Sequence, residues 1–227
     1  MRVAVLFSGG KDSCYTVWVL QHQGWEIAKL VTVKPGSPDS WMFHYPNVDW
    51  TGLQAQAMGL QHELVSSSGD EMETLEKALA KIKEEDGIQG VATGAVASDY
   101  QRARFDRMCD SIGLKSFSPL WHKKPEVIIN DLTQAGFLIL MSGVAAAGLD
   151  KSWLGKTLTH SEWAELKQLS RRHGIHLSGE GGEYETFVTD GPHFSKRVAV
   201  EKTKSVFAGE SGYLVIEKAS LRDKLGN

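Results

Sequence analysis

Two cysteines, Cys14 and Cys109, are the whole thiol content of this 227-residue chain. They stand far apart, so the sequence holds no disulfide framework and no paired-thiolate metal spacing. Each reads as a residue on the inner face of a helix. Long hydrophobic runs are also missing. The most apolar stretch, residues 135–149, is broken by Gly136, Gly143 and Gly148 and is too short to span a bilayer. Met1 leads straight into a β-type run with no basic segment ahead of a long apolar one. A secretory signal is therefore not expected, and a cytoplasmic location without membrane association is. An excess of positive charge is lacking as well: the net charge is −3, which speaks against a direct nucleic-acid footprint. The sequence shows no internal repeat and leaves homo-oligomerisation open.

What is present is ordinary globular material, 41% hydrophobic and 23% charged, with a clear order to it. Short β-rich apolar runs at residues 3–7, 26–33, 62–65, 90–93, 115–117 and 137–141 alternate with amphipathic stretches at 13–23, 49–58, 70–85, 98–112 and 125–134. That alternation predicts an α/β fold with a doubly wound parallel sheet. Asp70, followed by Glu73, reads as an N-cap with its box partner. Residues 35–39 form a loop by composition and 41–50 continue it irregularly. Past Gly143 the pattern changes. One helix, 161–173, is expected to be capped by Ser161 and stopped by Gly174, followed by an antiparallel pair at 197–202 and 212–218. Two domains follow, residues 1–143 and a smaller α+β domain at 144–227.

The feature that carries chemistry is Ser8-Gly9-Gly10-Lys11-Asp12-Ser13, placed between the first strand and the first helix. Adjacent glycines let the backbone turn its N–H groups toward an anion, and the helix behind them adds unpaired donors and the positive end of its dipole. Ser8 and Ser13 bring hydroxyls, Lys11 a point charge, and Asp12 a carboxylate suited to Mg²⁺ or to helix capping. The loop is not Walker A, because Lys11 is followed by Asp12 rather than Ser or Thr. If the fourth strand lies beside the first, its end at Thr93 and Gly94 meets the same crevice. Gly94 there serves either close approach to a nucleotide or tight helix–sheet packing.

A second unusual stretch runs from Ser178 to Thr186. Glu180, Glu183 and Glu185 fall within six residues among Gly179, Gly181 and Gly182, with Tyr184 between them. Carboxylates so concentrated repel unless a cation or donor answers them. They suit Mg²⁺ binding, general-base work or capture of a cationic substrate, or else form a solvated acidic turn. Ser98 or Asp99 can cap the helix that carries Tyr100, Arg102 and Arg104. These arginines fit either a phosphate or carboxylate grip or an exposed helix face. His44 and His122 have no carboxylate at triad or metal spacing. Trp121 and Trp153 sit in loop segments where an aromatic face lines a pocket or packs in a core.

The loop at Ser8–Ser13 resembles the pyrophosphate loop of the ATP pyrophosphatases, Rossmann-like enzymes that split ATP between the α and β phosphates. With Trp41-Met42-Phe43-His44, the segment from Thr93 to Arg102, Ser118-Pro119-Leu120-Trp121-His122, the stretch 143–155 and Gly179–Thr186, nearly the whole chain resembles the diphthine–ammonia ligase family in its compact archaeal form. The resemblance implies that a diphthine carboxylate on translation elongation factor 2 attacks ATP, giving an acyl-adenylate and pyrophosphate. Ammonium then supplies the amide nitrogen and AMP leaves. It further implies ATP with Mg²⁺, held by Ser8, Gly9, Gly10, Lys11, Asp12, Ser13, Thr93 and Gly94, with Asp12 as the metal ligand. Lys11, Asp12, Glu180, Glu183 and Glu185 would carry catalysis. Ser98, Tyr100, Arg102, Trp121, Trp153, Gly181, Gly182, Tyr184 and Thr186 would hold the acceptor; beyond the resemblance, the glutamate cluster near Tyr184, with Trp121 or Trp153 nearby, suits its trimethylammonium group through charge and aromatic faces. Neither cysteine has a glutaminase-like companion motif, so free ammonium is the expected nitrogen source. The rival readings are a pyrophosphate-loop tRNA-modifying enzyme, which would call for a basic face and more cysteines, and a non-catalytic nucleotide-binding protein, which would not need the glutamates.

Overall fold

In the computed structural model, residues 1–36, 47–67 and 69–224 are described, the side chains of Tyr100 and Gln101 excepted. Most of the loop expected at 35–39 and Trp41, Met42, Phe43 and His44 lie outside the described residues. The chain forms two compact units, Met1–His122 and Lys123–Asn227.

The first unit carries strands β1 (Arg2–Leu6), β2 (Glu26–Lys34), β3 (His62–Ser66), β4 (Gly90–Ala92) and β5 (Lys115–Phe117), and helices α1 (Lys11–His22), α2 (Thr51–Met58), α3 (Glu71–Asp86) and α4 (Asp99–Ser111). All its strand pairs are parallel, in the order β3-β2-β1-β4-β5. The chain winds outward from β1 to β3 and then returns to the other side of β1, so the winding reverses between β1 and β4. This is the expected doubly wound sheet. Both faces are covered, which is why β1 and β4 read as unbroken apolar runs. On one face, Leu75, Leu79 and Ile82 of α3, spaced along one helical stripe, pack with Phe105, Met108 and Cys109 of α4 over Ala4, Val31, Val33 and Val91. Asp70 caps α3 as its type predicts, its Oδ1 accepting from the backbone N–H of Met72 at 2.8 Å and Glu73 at 3.1 Å.

The second unit holds α5 (Pro125–Gln134), β6 (Leu138–Val144), α6 (His160–His173), β7 (Tyr184–Asp190), β8 (Lys196–Ala208) and β9 (Ser211–Asp223). Its sheet is antiparallel, in the order β7-β6-β9-β8. The sequence-predicted strand at 137–141 therefore belongs here, not to the parallel sheet. The compact units divide between His122 and Lys123, earlier than the Gly143 boundary, because β6 pairs with β7 and β9. The α6 cap also differs: Thr159 is the N-cap, its N–H donating at 3.0 Å to Glu162, and Ser161 lies inside the helix. Gly174 ends α6 in the left-handed region, as expected. Among the described residues no helix is long and apolar enough to cross a membrane.

Candidate active site

The turn after β1 lies where the sheet reverses its winding, the place at which open α/β sheets bind ligands. Gly9 has φ +78°, and a Cβ there would lie 2.3 Å from Gln54 Oε1. Gly9 is thus required both by backbone conformation and by space. Gly10 is the N-cap of α1 and offers no side chain to its first-turn N–H groups. That end of the helix keeps its capacity for an anion. Ser13 Oγ donates to Gly10 O at 3.0 Å and lies 3.2 Å from Ser8 Oγ, so the two hydroxyls flank the turn.

Lys11 is nearly buried, its Nζ 2.8 Å from Asp12 Oδ2. The other oxygen, Asp12 Oδ1, is buried without a hydrogen-bond partner among the described residues. A carboxylate oxygen left that way is costly unless a ligand completes it. Its chemistry, a hard anionic donor beside a phosphate-type turn, fits Mg²⁺ carried by a nucleotide. Among the described residues no group of three or more His, Cys, Asp or Glu side chains is gathered as a metal site. Phosphate oxygens would have to supply the remaining ligands.

β4 does lie beside β1, bringing Thr93 and Gly94 to this crevice. A Cβ on Gly94 would meet the Asp12 carbonyl carbon at 2.9 Å and Ser13 N at 3.0 Å. Gly94 therefore admits the first turn of α1 against the strand end, and the packing reading is the one its geometry supports. Thr93 Oγ1 lies 3.1 Å from Ser118 Oγ, tying the turns after β4 and β5 together. Ser98 accepts the N–H of Arg102 at 3.0 Å through its carbonyl, which makes it the residue at the head of α4. Arg102 stacks with Cζ 4.5 Å from the Trp121 ring centre and lies 3.5 Å from Asp106. Tyr100 is not described beyond its backbone. Cys14 lies buried in α1, and burial, reinforced by Asp12, pushes its thiol well above the ordinary range.

The acidic loop is built from its own side chains. Glu183 Oε1 accepts the N–H of His176 at 2.9 Å and its Oε2 accepts that of Gly181 at 2.8 Å. Tyr184 is buried, and its hydroxyl donates to Leu177 O at 2.7 Å. Gly179 and Gly182 take positive φ, at 73° and 79°. Glu180, Glu185 and Thr186 are half-buried. Glu185 faces Gly143 across the sheet, where a Cβ would come within 2.9 Å of its own. The expected role of Trp121, Trp153 and Tyr184 as open aromatic faces is not what these residues present. Trp153 is buried with Lys156 Nζ 4.5 Å from its ring centre, Trp121 is covered by Arg102, and Tyr184 is an anchor of the loop. Sequence reasoning missed two residues. Gln54 donates from Nε2 to Gly9 O at 2.9 Å, and His176 places its Nδ1 3.0 Å from Ser178 Oγ. Neither falls in a motif, and the buried position of Gln54 on α2 is visible only in the fold.

Two family descriptions match in tandem, the diphthamide synthase N-terminal domain over residues 1–116 and the diphthamide synthase C-terminal domain over 124–221. The chain belongs to the diphthamide synthase family. Relatives in that family include a diphthine–ammonia ligase from Mus musculus, 34% identical over 254 residues, covering 100% of this chain and 95% of the mouse protein. A diphthine–ammonia ligase from Schizosaccharomyces pombe is also 34% identical, but covers 99% of this chain and only 40% of its own length. Among solved structures, a predicted subunit of tRNA methyltransferase from Methanocaldococcus jannaschii is similar at a TM-score of 0.42 and 18% identity, covering 83% of this chain and 96% of that one. Diphthamide synthase family membership thus rests on the tandem domains and the full-length relatives.

Proposed function

We propose that this chain is an ATP-dependent ligase that amidates diphthine on translation elongation factor 2 with ammonium, forming diphthamide through an acyl-adenylate and releasing AMP and pyrophosphate. The observation that carries the nucleotide half is Asp12 Oδ1, buried and unpartnered at the head of an uncapped helix. Membership in the diphthamide synthase family supports the acceptor.

The residues divide the work as follows. Backbone N–H groups from Gly9 to Ser13 receive the β and γ phosphates and stabilise the charge that grows on pyrophosphate as it leaves. Lys11 adds a positive charge that Asp12 orients. Mg²⁺, when bound, neutralises phosphate charge, and Asp12 Oδ1 is the oxygen that would hold it. Ser8 and Ser13 complete the cradle, with Thr93 at its side. The glutamates act on the acceptor: Glu180 and Glu185 attract ammonium and accept its proton, while Glu183 fixes the loop that presents them. The work is placed in the cytoplasm.

The test is direct. Purified chain, ATP, Mg²⁺ and ammonium should convert diphthine on the elongation factor to its amide, read by mass spectrometry as acid becoming amide. Factor bearing the unmodified histidine should be inert, and glutamine should not replace ammonium. ADP and phosphate as coupled products, or modification of tRNA instead, would overturn the reading.

A further inference from the structure

The turn after β1 is short, yet side chains from two other elements, β2 and α2, bond to its backbone, and a third, β3, stands behind both. Thr32 on β2, buried, donates its hydroxyl proton to Phe7 O at 2.7 Å, at the residue just before Ser8. Thr51, the first residue of α2 and also buried, donates its proton to Val48 O at 2.7 Å. Each hydroxyl has one proton and has spent it on a carbonyl. Both hydroxyls nevertheless lie close to one nitrogen of His62 on β3: Nε2 is 2.9 Å from Thr32 Oγ1 and 3.1 Å from Thr51 Oγ1. Only acceptor capacity remains to them, so Nε2 must carry the proton and share it between both. Burial lowers the His62 pKa, consistent with a neutral ring whose tautomer is set by these two oxygens.

One imidazole N–H therefore joins the strand that holds the root of the turn to the start of α2. One turn further along α2, Gln54 is wholly buried and donates to Gly9 O at 2.9 Å. The turn is gripped at Phe7 and at Gly9, and both grips trace back to His62.

We infer that His62 and Gln54 are positioning residues for the phosphate-binding turn, His62 through Thr32 and Thr51, and Gln54 through the Gly9 carbonyl. Neither side chain need touch nucleotide. Their effect is to hold the Phe7 and Gly9 carbonyls, and with them the peptides that lead into α1, in one orientation. This inference rests on the nucleotide reading of that turn.

The experiment compares variants whose packing is similar and whose donors differ. A glutamine side chain places an amide N–H₂ near the position of the imidazole Nε2, whereas asparagine places it nearer Nδ1. ATP binding is measured by calorimetry on the intact chain, with unfolding midpoints recorded beside it. His62→Asn and Gln54→Leu should weaken ATP binding about tenfold, the scale of one lost buried hydrogen bond. His62→Gln should stay within about twofold of the unaltered chain. Rescue by glutamine separates positioning from bulk, and it decides the matter even if Gln54→Leu fails to fold. Equal weakening in His62→Gln and His62→Asn, or undiminished binding in His62→Asn, would overturn the inference. A chain that unaltered fails to bind ATP at all would overturn the nucleotide reading itself, an outcome distinct from either.

Discussion

The two glycine-rich loops of this molecule solve opposite problems. In the turn at Ser8–Ser13, which we propose works through its backbone, Thr32 of β2 and Gln54 of α2 bond to the main chain, with His62 of β3 behind Thr32. Its own carboxylate, Asp12, keeps one oxygen uncommitted. In the loop ending at β7, the side chains that look most chemical hold the loop itself. Glu183 spends both oxygens on backbone N–H groups and Tyr184 spends its hydroxyl on Leu177. The lesson is that a charge within a loop and a charge offered to a ligand are different things. The first loop keeps one buried oxygen, Asp12 Oδ1, without a hydrogen-bond partner among the described residues, whereas the central glutamate of the second has both oxygens engaged.

Substitutions in each loop and one titration can break or sharpen that contrast. The largest effect is expected at the first loop. Lys11→Ala should reduce AMP and pyrophosphate formation by about 10²–10³-fold in a coupled assay, with the fold retained, because a donor to the leaving charge is lost. Asp12→Asn should lose chiefly the Mg²⁺-dependent part of that turnover. Next comes Glu183→Gln, which cannot accept from two N–H groups and keep its second pole satisfied. Amidation should fall by about 10²-fold while ATP binding, followed by calorimetry, persists. Loss of both together would erase the division of labour between the loops.

Smaller effects concern stability. Gly9→Ala forces a side chain into positive φ and against Gln54, and chemical denaturation should report a loss of about 2 kcal/mol. Tyr184→Phe leaves the Leu177 carbonyl unanswered and should cost about 1 kcal/mol, read the same way. The smallest is at the head of α6. The Thr159 hydroxyl holds the Glu162 carboxyl down to about 2, below its ordinary 4.5. A depressed folded-state pKa means its contribution is full above about 4.5 and fades as pH falls toward about 2. Glu162→Gln should therefore flatten the acid limb of the unfolding midpoint over that window.

Much of this architecture is legible in the amino-acid sequence alone. The parallel sheet can be read because the centres of β1 and β4 are buried and their apolar runs are unbroken, while β2 shows the same signal over its buried stretch from Leu30 to Val33. Helix α3 can be read because Asp70 caps it and Leu75, Leu79 and Ile82 recur on one stripe. The turn at Ser8–Ser13 can be read because its pattern is local, six residues at one strand-to-helix junction. What stays hidden is long-range. Strand β6 has the same apolar look whether its partners are parallel or antiparallel, and only pairing with β7 and β9 decides. Trp121 and Trp153 are open questions in the sequence because the covering cation, Arg102 or Lys156, is chosen by folding. The His62 and Gln54 contacts join residues more than twenty positions from the turn they reach, and no pattern of spacing encodes them.

The two cysteines have one more consequence. Both lie in the unit Met1–His122, both are buried, and burial pushes Cys109 up to about 12 and Cys14 well above its usual range. Neither thiol is reactive while that unit is closed. A thiol-directed label therefore works as a clock for transient opening of the nucleotide-side unit alone, since the other unit contains no cysteine and stays silent. Cys14 sits one residue past the turn, with its sulfur 3.8 Å from Gly9 O. Saturating ATP should slow its labelling by the ratio of ligand concentration to dissociation constant, and so measure affinity without any catalytic turnover.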